Sequence, residues 1–426
     1  MPEWTRLPGG GWCEAPPGAK SNDAEPVCLS AGQAHGKYGA ARGSSWELPR
    51  RTFVSAQSAR PGYSSIDASE YHDADETLGA KLGVLAALLG RAKCCVVYAG
   101  AGLSTAAGIP DYASQSASAS DAERLRSPMC AQPSLSHRVL VGMHRAGLVH
   151  RLVQQNHDGL PQKAGLPQQA VNEIHGSLYA PDNPVIPMSG CLRSDLLDDL
   201  LELEARADLV VAVGTSLAGM NADRLVHAAA ARASRGAGLG VVIIGLQRTP
   251  ADESSTLRLF APCDTAFARL APLLDGVAPL VPPARVPGDF FVPAVLAAAS
   301  DPDARYLLSG LQYDAMGRRV ADPTTAPTAL DLRDGASLVI PSGVHAGAIG
   351  EVDGTDREGH PRCRFWLRLK PDKPFKAPMM LTLGSWWLQA AVDAAVESIP
   401  VVNAPRGDSA AACELRALCE AYCKSV

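Results

Sequence analysis

The chain has 426 residues, 39 Lys+Arg against 44 Asp+Glu and a formal net charge of −5. At roughly 150 residues per domain this allows two or three domains, and the charge balance excludes a protein that coats nucleic acid through bulk basic charge. The hydrophobic share of 46% suffices for a core, yet apolar runs such as Val84 to Leu89 stop far short of the roughly 20 residues of a membrane span.

In chain order, residues 1–74 carry Pro8-Gly9-Gly10-Gly11 and Pro16-Pro17-Gly18 without a sustained period. They are expected to form a largely flexible N-terminal extension whose last stretch lies over a folded neighbour. Met1-Pro2-Glu3-Trp4-Thr5-Arg6 lacks the basic and apolar regions of a signal peptide. With 11 scattered cysteines, an odd number, the expectation is reduced thiols, no membrane, and a nuclear or cytoplasmic location. Asp75-Glu76-Thr77 then opens a helical stripe through Leu78, Leu82, Leu85, Leu88 and Leu89.

Cys94 to Ala99 is a short continuous apolar run, the pattern of a strand buried on both faces of a parallel sheet. Similar runs recur at Leu152-Val153, Leu209 to Val213 and Val241 to Ile244, separated by helical patterns over 136–145, 196–206 and 223–232. Alternation of this kind predicts an α/β, doubly wound parallel sheet over residues 75–275. Residues 276–330, with Pro279 to Pro287, read as a Pro-rich linker, 331–390 as a small β domain and 391–426 as a C-terminal helical tail.

The first strand ends in Gly100-Ala101-Gly102-Leu103-Ser104, ahead of a helical start at Thr105-Ala106-Ala107. A strand, a glycine turn and a helix N-terminus together favour an anion such as a dinucleotide pyrophosphate. The dehydrogenase fingerprint would want a third glycine where Thr105 stands. Gly108-Ile109-Pro110-Asp111-Tyr112 follows, then Gln155-Asn156-His157-Asp158-Gly159-Leu160, Glu173-Ile174-His175-Gly176 and Gly214-Thr215-Ser216-Leu217.

In order and spacing these motifs resemble the sirtuin family of NAD-dependent protein-lysine deacylases, over residues 75–275. Val242 to Thr249 is similar to a segment of that family's class IV branch. The resemblance implies a Rossmann-like domain with NAD as cofactor and an acyl-lysine protein, a histone among the candidates, as substrate. Gly100, Ala101, Gly102 and Ser104 would form the pyrophosphate loop, with Asp111 and Tyr112 over the nicotinamide ribose. Asn156 and Asp158 would hold the carboxamide, whose donors and acceptor an amide and a carboxylate can satisfy. Gln155 and His157 belong to the same motif, His157 where the family contributes a backbone contact. Gly214, Thr215 and Ser216 would contact the adenosine ribose and phosphate, with Gly245 and Gln247 toward the adenine.

His175 is the candidate general base, since an imidazole titrates near neutrality and can accept a ribose hydroxyl proton without a metal. Alternative readings are a catalytically weak NAD or ADP-ribose sensor, an interaction protein, and a mono-ADP-ribosyltransferase.

Departures from the family pattern are specific. Its two Cys-x-x-Cys zinc pairs have no counterpart between Gly176 and Val213, where Cys191 stands alone; one thiolate cannot make a four-ligand site. The stretch Tyr179 to Pro184 is expected in place of that module, and no metal is expected. Asp-Phe-Arg reads Asp111-Tyr112-Ala113, Phe-Gly-Glu reads Met188-Ser189-Gly190, an adenosine-side Asn reads Gly245, and a motif-ending His reads Pro161. His137, His144, His150 and His157 read as structural, and Cys413, Cys419 and Cys423 as small apolar residues of a helix.

Beyond the linker, Gly343 to Val352 and Asp356 to His360 resemble the turn-rich strand pair of a KOW- or SH3-like barrel. Basic residues from Arg362 to Lys376 are interleaved with Phe365, Trp366 and Phe375. That pattern reads as a solvated face over a core, with nucleic-acid or protein contact as the functional alternative. A targeting module on a flexible tether is the expectation.

Overall fold

The computed structural model describes residues 4–6, 12–14, 29–41, 46–58, 66–110, 129, 131–187, 190–277, 304–321, 328–368, 377–406 and 410–424. Its centre is a six-stranded sheet of β1 (Cys95–Ala99), β2 (Arg151–Gln154), β3 (Val171–Glu173), β4 (Leu209–Val213), β5 (Gly240–Ile244) and β6 (Leu257–Leu259). The spatial order is β3-β2-β1-β4-β5-β6, and every pair is parallel. The order reverses between β1 and β4, the switch point where such sheets open a crevice beyond their strand ends.

Both faces are covered, which is why the strands read as unbroken apolar runs. Helices α1 (Asp75–Leu89), α2 (Leu135–Arg145) and α6 (Cys263–Leu270) enclose one core with Val97, Val211 and Val242. Helices α4 (Ser194–Arg206) and α5 (Arg224–Ser234) enclose the other with Val96, Val210 and Val241. Helix α3 (Leu160–Lys163) is a single turn after β2. Leu78, Leu82, Leu85 and Leu89 of α1 are buried as the stripe predicted. Lys81 shares their face, fully buried, with its Nζ 2.7 Å from Asp73 Oδ1.

Parts of the N-terminal extension are built into the domain, a correction to the flexible reading. The helical segment Ala31–Ala41, broken at Gly36, lies along β6, with the Lys37 and Tyr38 amides donating to Ser255 O and Thr256 O. Leu29, Ala34, Tyr71 and Phe260 form a small core there. Three scattered side chains, Leu29, Ala34 and Tyr71, and one partner of a buried ion pair, Asp73, leave no period in this part of the sequence.

The linker expectation changes too. Within it, β7 (Leu307–Leu311) pairs with β8 (Thr328–Asp331), and Leu308, Leu311 and Leu330 join the second domain's core. A bulge between Leu308 and Leu311, with Gly310 at φ 76°, breaks the two-residue alternation that would have revealed the strand. This domain holds an antiparallel sheet of β9 (Ser337–Val339), β10 (Ile349–Thr355), β11 (Pro361–Leu367), β12 (Ala377–Thr382) and β13 (Val402–Asn403), in the order β12-β11-β10-β9-β13. Helices α7 (Ser385–Val392) and α8 (Ala410–Lys424) complete it. The expected tail therefore contributes a strand of this sheet and a packed helix, with Leu415 and Cys419 buried while Cys413 and Cys423 are exposed. Among the described residues no helix is long and apolar enough to cross a membrane.

Candidate functional site

Each motif left by the sequence lies just beyond a strand of the parallel sheet: Gly100 after β1, Gln155 to Asp158 after β2, His175 after β3, Gly214 after β4 and Gly245 after β5. Parallel pairing delivers all of them to one edge, straddling the β1/β4 crevice. Asp111 and Tyr112 lie outside the described residues, as do Ala113 to Ser120, Met188 and Ser189.

The glycines let two loops touch. The Gly102 amide donates to Gly214 O at 2.8 Å, and the Gly100 amide to Val213 O at 3.0 Å. A Cβ on Gly102 would come within 2.8 Å of Gly214 Cα, and one on Gly214, at φ 58°, within 2.4 Å of Leu103 N. These glycines thus serve close approach of the β1 and β4 loops, and their amides are already engaged. The helix expected from Thr105 is only a 3-10 turn, Thr105–Ala107, ended by Gly108 at φ 85° and Pro110. The helix-dipole contribution foreseen for a phosphate does not arise from so short a turn.

A polar chain links the loops that follow β1 and β2. Asn156 Nδ2 donates to Gly100 O at 3.0 Å and to Ser104 Oγ at 3.1 Å, and Ser104 Oγ donates to Asp158 Oδ2 at 2.7 Å. Asp158 Oδ1 accepts the Leu160 amide at 2.9 Å. Ser104 and Asp158 are buried, whereas Asn156 is half-buried. With Nδ2 committed, the amide oxygen of Asn156 is the atom left to accept from a ligand's N–H. Gln155 Nε2 donates to Thr215 Oγ1 at 2.9 Å, tying the β2 loop to the β4 loop. Ser216 and Gln247 are half-buried along the same edge, and a Cβ on Gly245 would have no neighbour nearer than 3.9 Å.

His175 is half-buried in the turn after β3, where its carbonyl accepts the Ile186 amide at 3.0 Å. Gly176 follows at φ 88°, and a Cβ there would lie 2.2 Å from Pro184 O. His157 joins the same turn by an Nδ1 contact of 2.9 Å to Gly176 O. Glu173 is buried beneath it among Gln154, Gln162, Gln168 and Ser177, and burial pushes its carboxyl up to about 7 against their hydrogen bonds.

The other histidines make separate local contacts: His137 with Ser134, His144 with Val149 O and His150 with the Cys95 amide. Burial takes His137 down to about 4.

Several supports were not foreseen. Arg258, fully buried, donates to Gly245 O at 3.1 Å and stacks over Phe260 at 3.6 Å, fixing the β5 loop. Its position inside Leu257-Arg258-Leu259-Phe260, a cation within an apolar run, was the available signal. Asp223 accepts the Gly219 and Met220 amides at 2.8 Å each and the Tyr98 hydroxyl at 2.9 Å, bracing the β4 loop from inside β1.

The Sir2 family profile matches residues 117–182. Human NAD-dependent protein deacetylase sirtuin-7 is 40% identical over 115 residues, 26% of this chain and 29% of that protein. An NAD-dependent protein deacetylase of Cutibacterium acnes is 31% identical over 178 residues, covering 29% of this chain and 72% of that protein. The chain belongs to the Sir2 family. This sirtuin spans less than a third of the length of its human relative. Among solved structures, Sir2Tm bound to a propionylated peptide is similar, with 26% identity and a TM-score of 0.39 over 45% of this chain and 98% of that one.

Proposed function

We propose that this chain is an NAD-dependent protein-lysine deacylase that releases nicotinamide and moves the acyl group onto ADP-ribose. The observation that carries the reading is the Asn156–Ser104–Asp158 chain between the loops after β1 and β2, on the sheet edge that also carries the half-buried His175. It is supported by the relatives, human sirtuin-7 and the Cutibacterium acnes protein, which are NAD-dependent protein deacetylases.

The residues fit the cofactor in chemistry. Asn156 offers its amide oxygen to a carboxamide, Thr215 and Ser216 offer hydroxyls to a ribose or phosphate, and Gly245 presents no side chain on the adenosine side. When bound, NAD supplies an activated ribose carbon and the hydroxyl that receives the acyl group. Asp158, through Ser104, keeps Asn156 oriented. His175 takes the proton from a ribose hydroxyl at an imidazole nitrogen and returns it to the leaving lysine amine. Asp111 and Tyr112 are assigned to the nicotinamide ribose on sequence grounds alone.

We further infer a class IV-like branch without a structural zinc. The class IV-like reading is supported by Val242 to Thr249, and the missing zinc by the single Cys191 between Gly176 and Val213 together with the burial of Tyr179, Ala180, Asp182 and Asn183. The proposed NAD-binding unit spans 75–275 with parts of residues 29–74 packed against it, and a KOW- or SH3-like unit lies beyond. Arg362 and Arg364 face Asp353 and Glu351 across the sheet, so their charge is largely neutralised and a protein contact is favoured there over nucleic acid. The proposed substrate is an acylated lysine of a nuclear or cytoplasmic protein, a histone among the candidates.

The test is incubation with NAD and a panel of acyl-lysine peptides. Peptide-dependent nicotinamide release, lost in His175→Ala with NAD binding retained, is the expected result. NAD binding without turnover across the panel replaces the enzyme by a sensor, and nicotinamide release that labels protein with ADP-ribose replaces it by a transferase.

A further inference from the structure

The C-terminal domain meets the α/β domain on the segments that carry the candidate catalytic groups. Trp386 of α7, His360 and Tyr179 form a three-ring cluster, with centroids 5.0 Å apart for Tyr179–Trp386 and 5.3 Å for each pair with His360. Tyr179 and His360 are 0% exposed, and Trp386 is 5% exposed. Gly159, one residue after Asp158, sits against this cluster at φ 62°, where a Cβ would lie 2.9 Å from both Trp386 Cη2 and Tyr179 Cδ2.

A buried ion pair spans the same junction. Lys163 Nζ lies 2.7 Å from Glu358 Oε2, with side chains 3% and 13% exposed. Gln132 Nε2 also donates to Glu358 at 2.7 Å. Burial alone would raise the Glu358 carboxyl, but hydrogen bonds from His360 and Lys163 hold it below the ordinary value. Lys163 otherwise meets neutral acceptors, Met129 O and Ala131 O. Losing Glu358 would leave its ammonium buried without a counter-charge.

On the far side of the cluster, the Gly384 amide donates to Tyr179 O at 3.0 Å, and Ser342 Oγ donates to Asp182 Oδ2 at 3.3 Å. Gly343 approaches Asp182 so closely that a Cβ would fall 1.9 Å from its carbonyl oxygen. These contacts hold two loops that are also joined directly, through the Leu178 amide to His157 O at 3.0 Å and His157 to Gly176 O. One loop bears Asn156 and Asp158, the other His175.

From this junction we propose that the C-terminal domain is a positioning element of the active site, Trp386 and Glu358 clamping the Asn156–Lys163 and His175–Asn183 segments in their working geometry. Neither residue touches the reacting groups; they act through Gly159, Lys163 and Tyr179. In this proposal the domain positions the site, whereas a tethered, separable targeting module would leave it unaffected. The catalytic part of this proposal rests on the deacylase reading, while the clamp itself does not.

The experiment compares full-length wild type, Trp386→Ala, Trp386→Phe and the near-isosteric Glu358→Gln by amide hydrogen exchange and by nicotinamide-release kinetics. Trp386→Ala and Glu358→Gln should speed exchange across residues 157–163 and 176–186 by about tenfold or more while the β4 and β5 amides hold. They should lower kcat more than they raise the KM for NAD, and Trp386→Phe should restore most of both. Unchanged exchange in the two loops, a uniform rise through the whole chain, or a Phe variant no better than Ala would overturn the proposal. Wild type inactive on every peptide would sink the deacylase reading, and the exchange pattern would still decide the clamp.

Discussion

Replacing Glu173 by glutamine should change how stability depends on pH more than it changes stability itself. Glu173 is 2% exposed, ringed by glutamine side chains, and its carboxyl rises from 4.5 to about 7 because burial penalises the charged form. The folded state therefore keeps its proton where the unfolded chain has lost it. The stabilisation is fully present below about pH 4.5 and is lost as pH rises to about 7, where the buried group must ionise. With 1.36 kcal/mol per unit, the change amounts to roughly 3 kcal/mol. The substituted amide has no proton to lose in this range, and it can donate to Gln154 Oε1 or Gln162 Oε1, both buried without a hydrogen-bond partner. Urea titrations at intervals from pH 4.5 to about 8, following the transition of the α/β domain, supply the measurement. Every other titrating group is common to both proteins and cancels in their difference. The expected result is a wild type that weakens relative to Glu173→Gln by roughly 3 kcal/mol across that window. Curves that stay parallel to within about 0.5 kcal/mol would refute the reasoning and leave Glu173 ionised and well solvated.

Lys81→Met should destabilise the domain by about 3–5 kcal/mol, because it strands a buried Asp73 carboxylate. Adding Asp73→Asn should recover much of that loss while keeping an acceptor for the Phe260 amide; simple additivity in chemical denaturation would contradict the pairing. Gly214→Ala should lower both stability and NAD affinity, with about 1–3 kcal/mol from the left-handed backbone before the contact with Leu103 N is counted. Isothermal titration showing wild-type NAD affinity in a folded Gly214→Ala protein would disprove the close-packed fork.

Much of the site was legible in the sequence because parallel α/β sheets write it there. Continuous apolar runs mark strands buried on both faces, and the residues just after each run must emerge at one sheet edge. Gly100, Asn156, His175, Gly214 and Gly245 could therefore be placed together from order alone. Gly102 and Gly214 were read for phosphate contact, whereas packing of one loop on the other already demands them. The β7 strand was hidden by its bulge, and the N-terminal segment by contacts too sparse to make a period.

Only the tertiary structure decided what the polar residues inside apolar patterns were for. Lys81 and Arg258 look like interruptions until Asp73 and Asp252 arrive from elsewhere in the chain to pair with them. The same holds for the junction of the two domains. Nothing local connects Gly159 and Lys163 with Glu358, His360 and Trp386, which lie far along the chain. A hydrophobic period reports which face of an element is buried. It carries no information about which distant surface buries it, and in this sirtuin that choice determines whether the C-terminal domain is cargo or part of the machine.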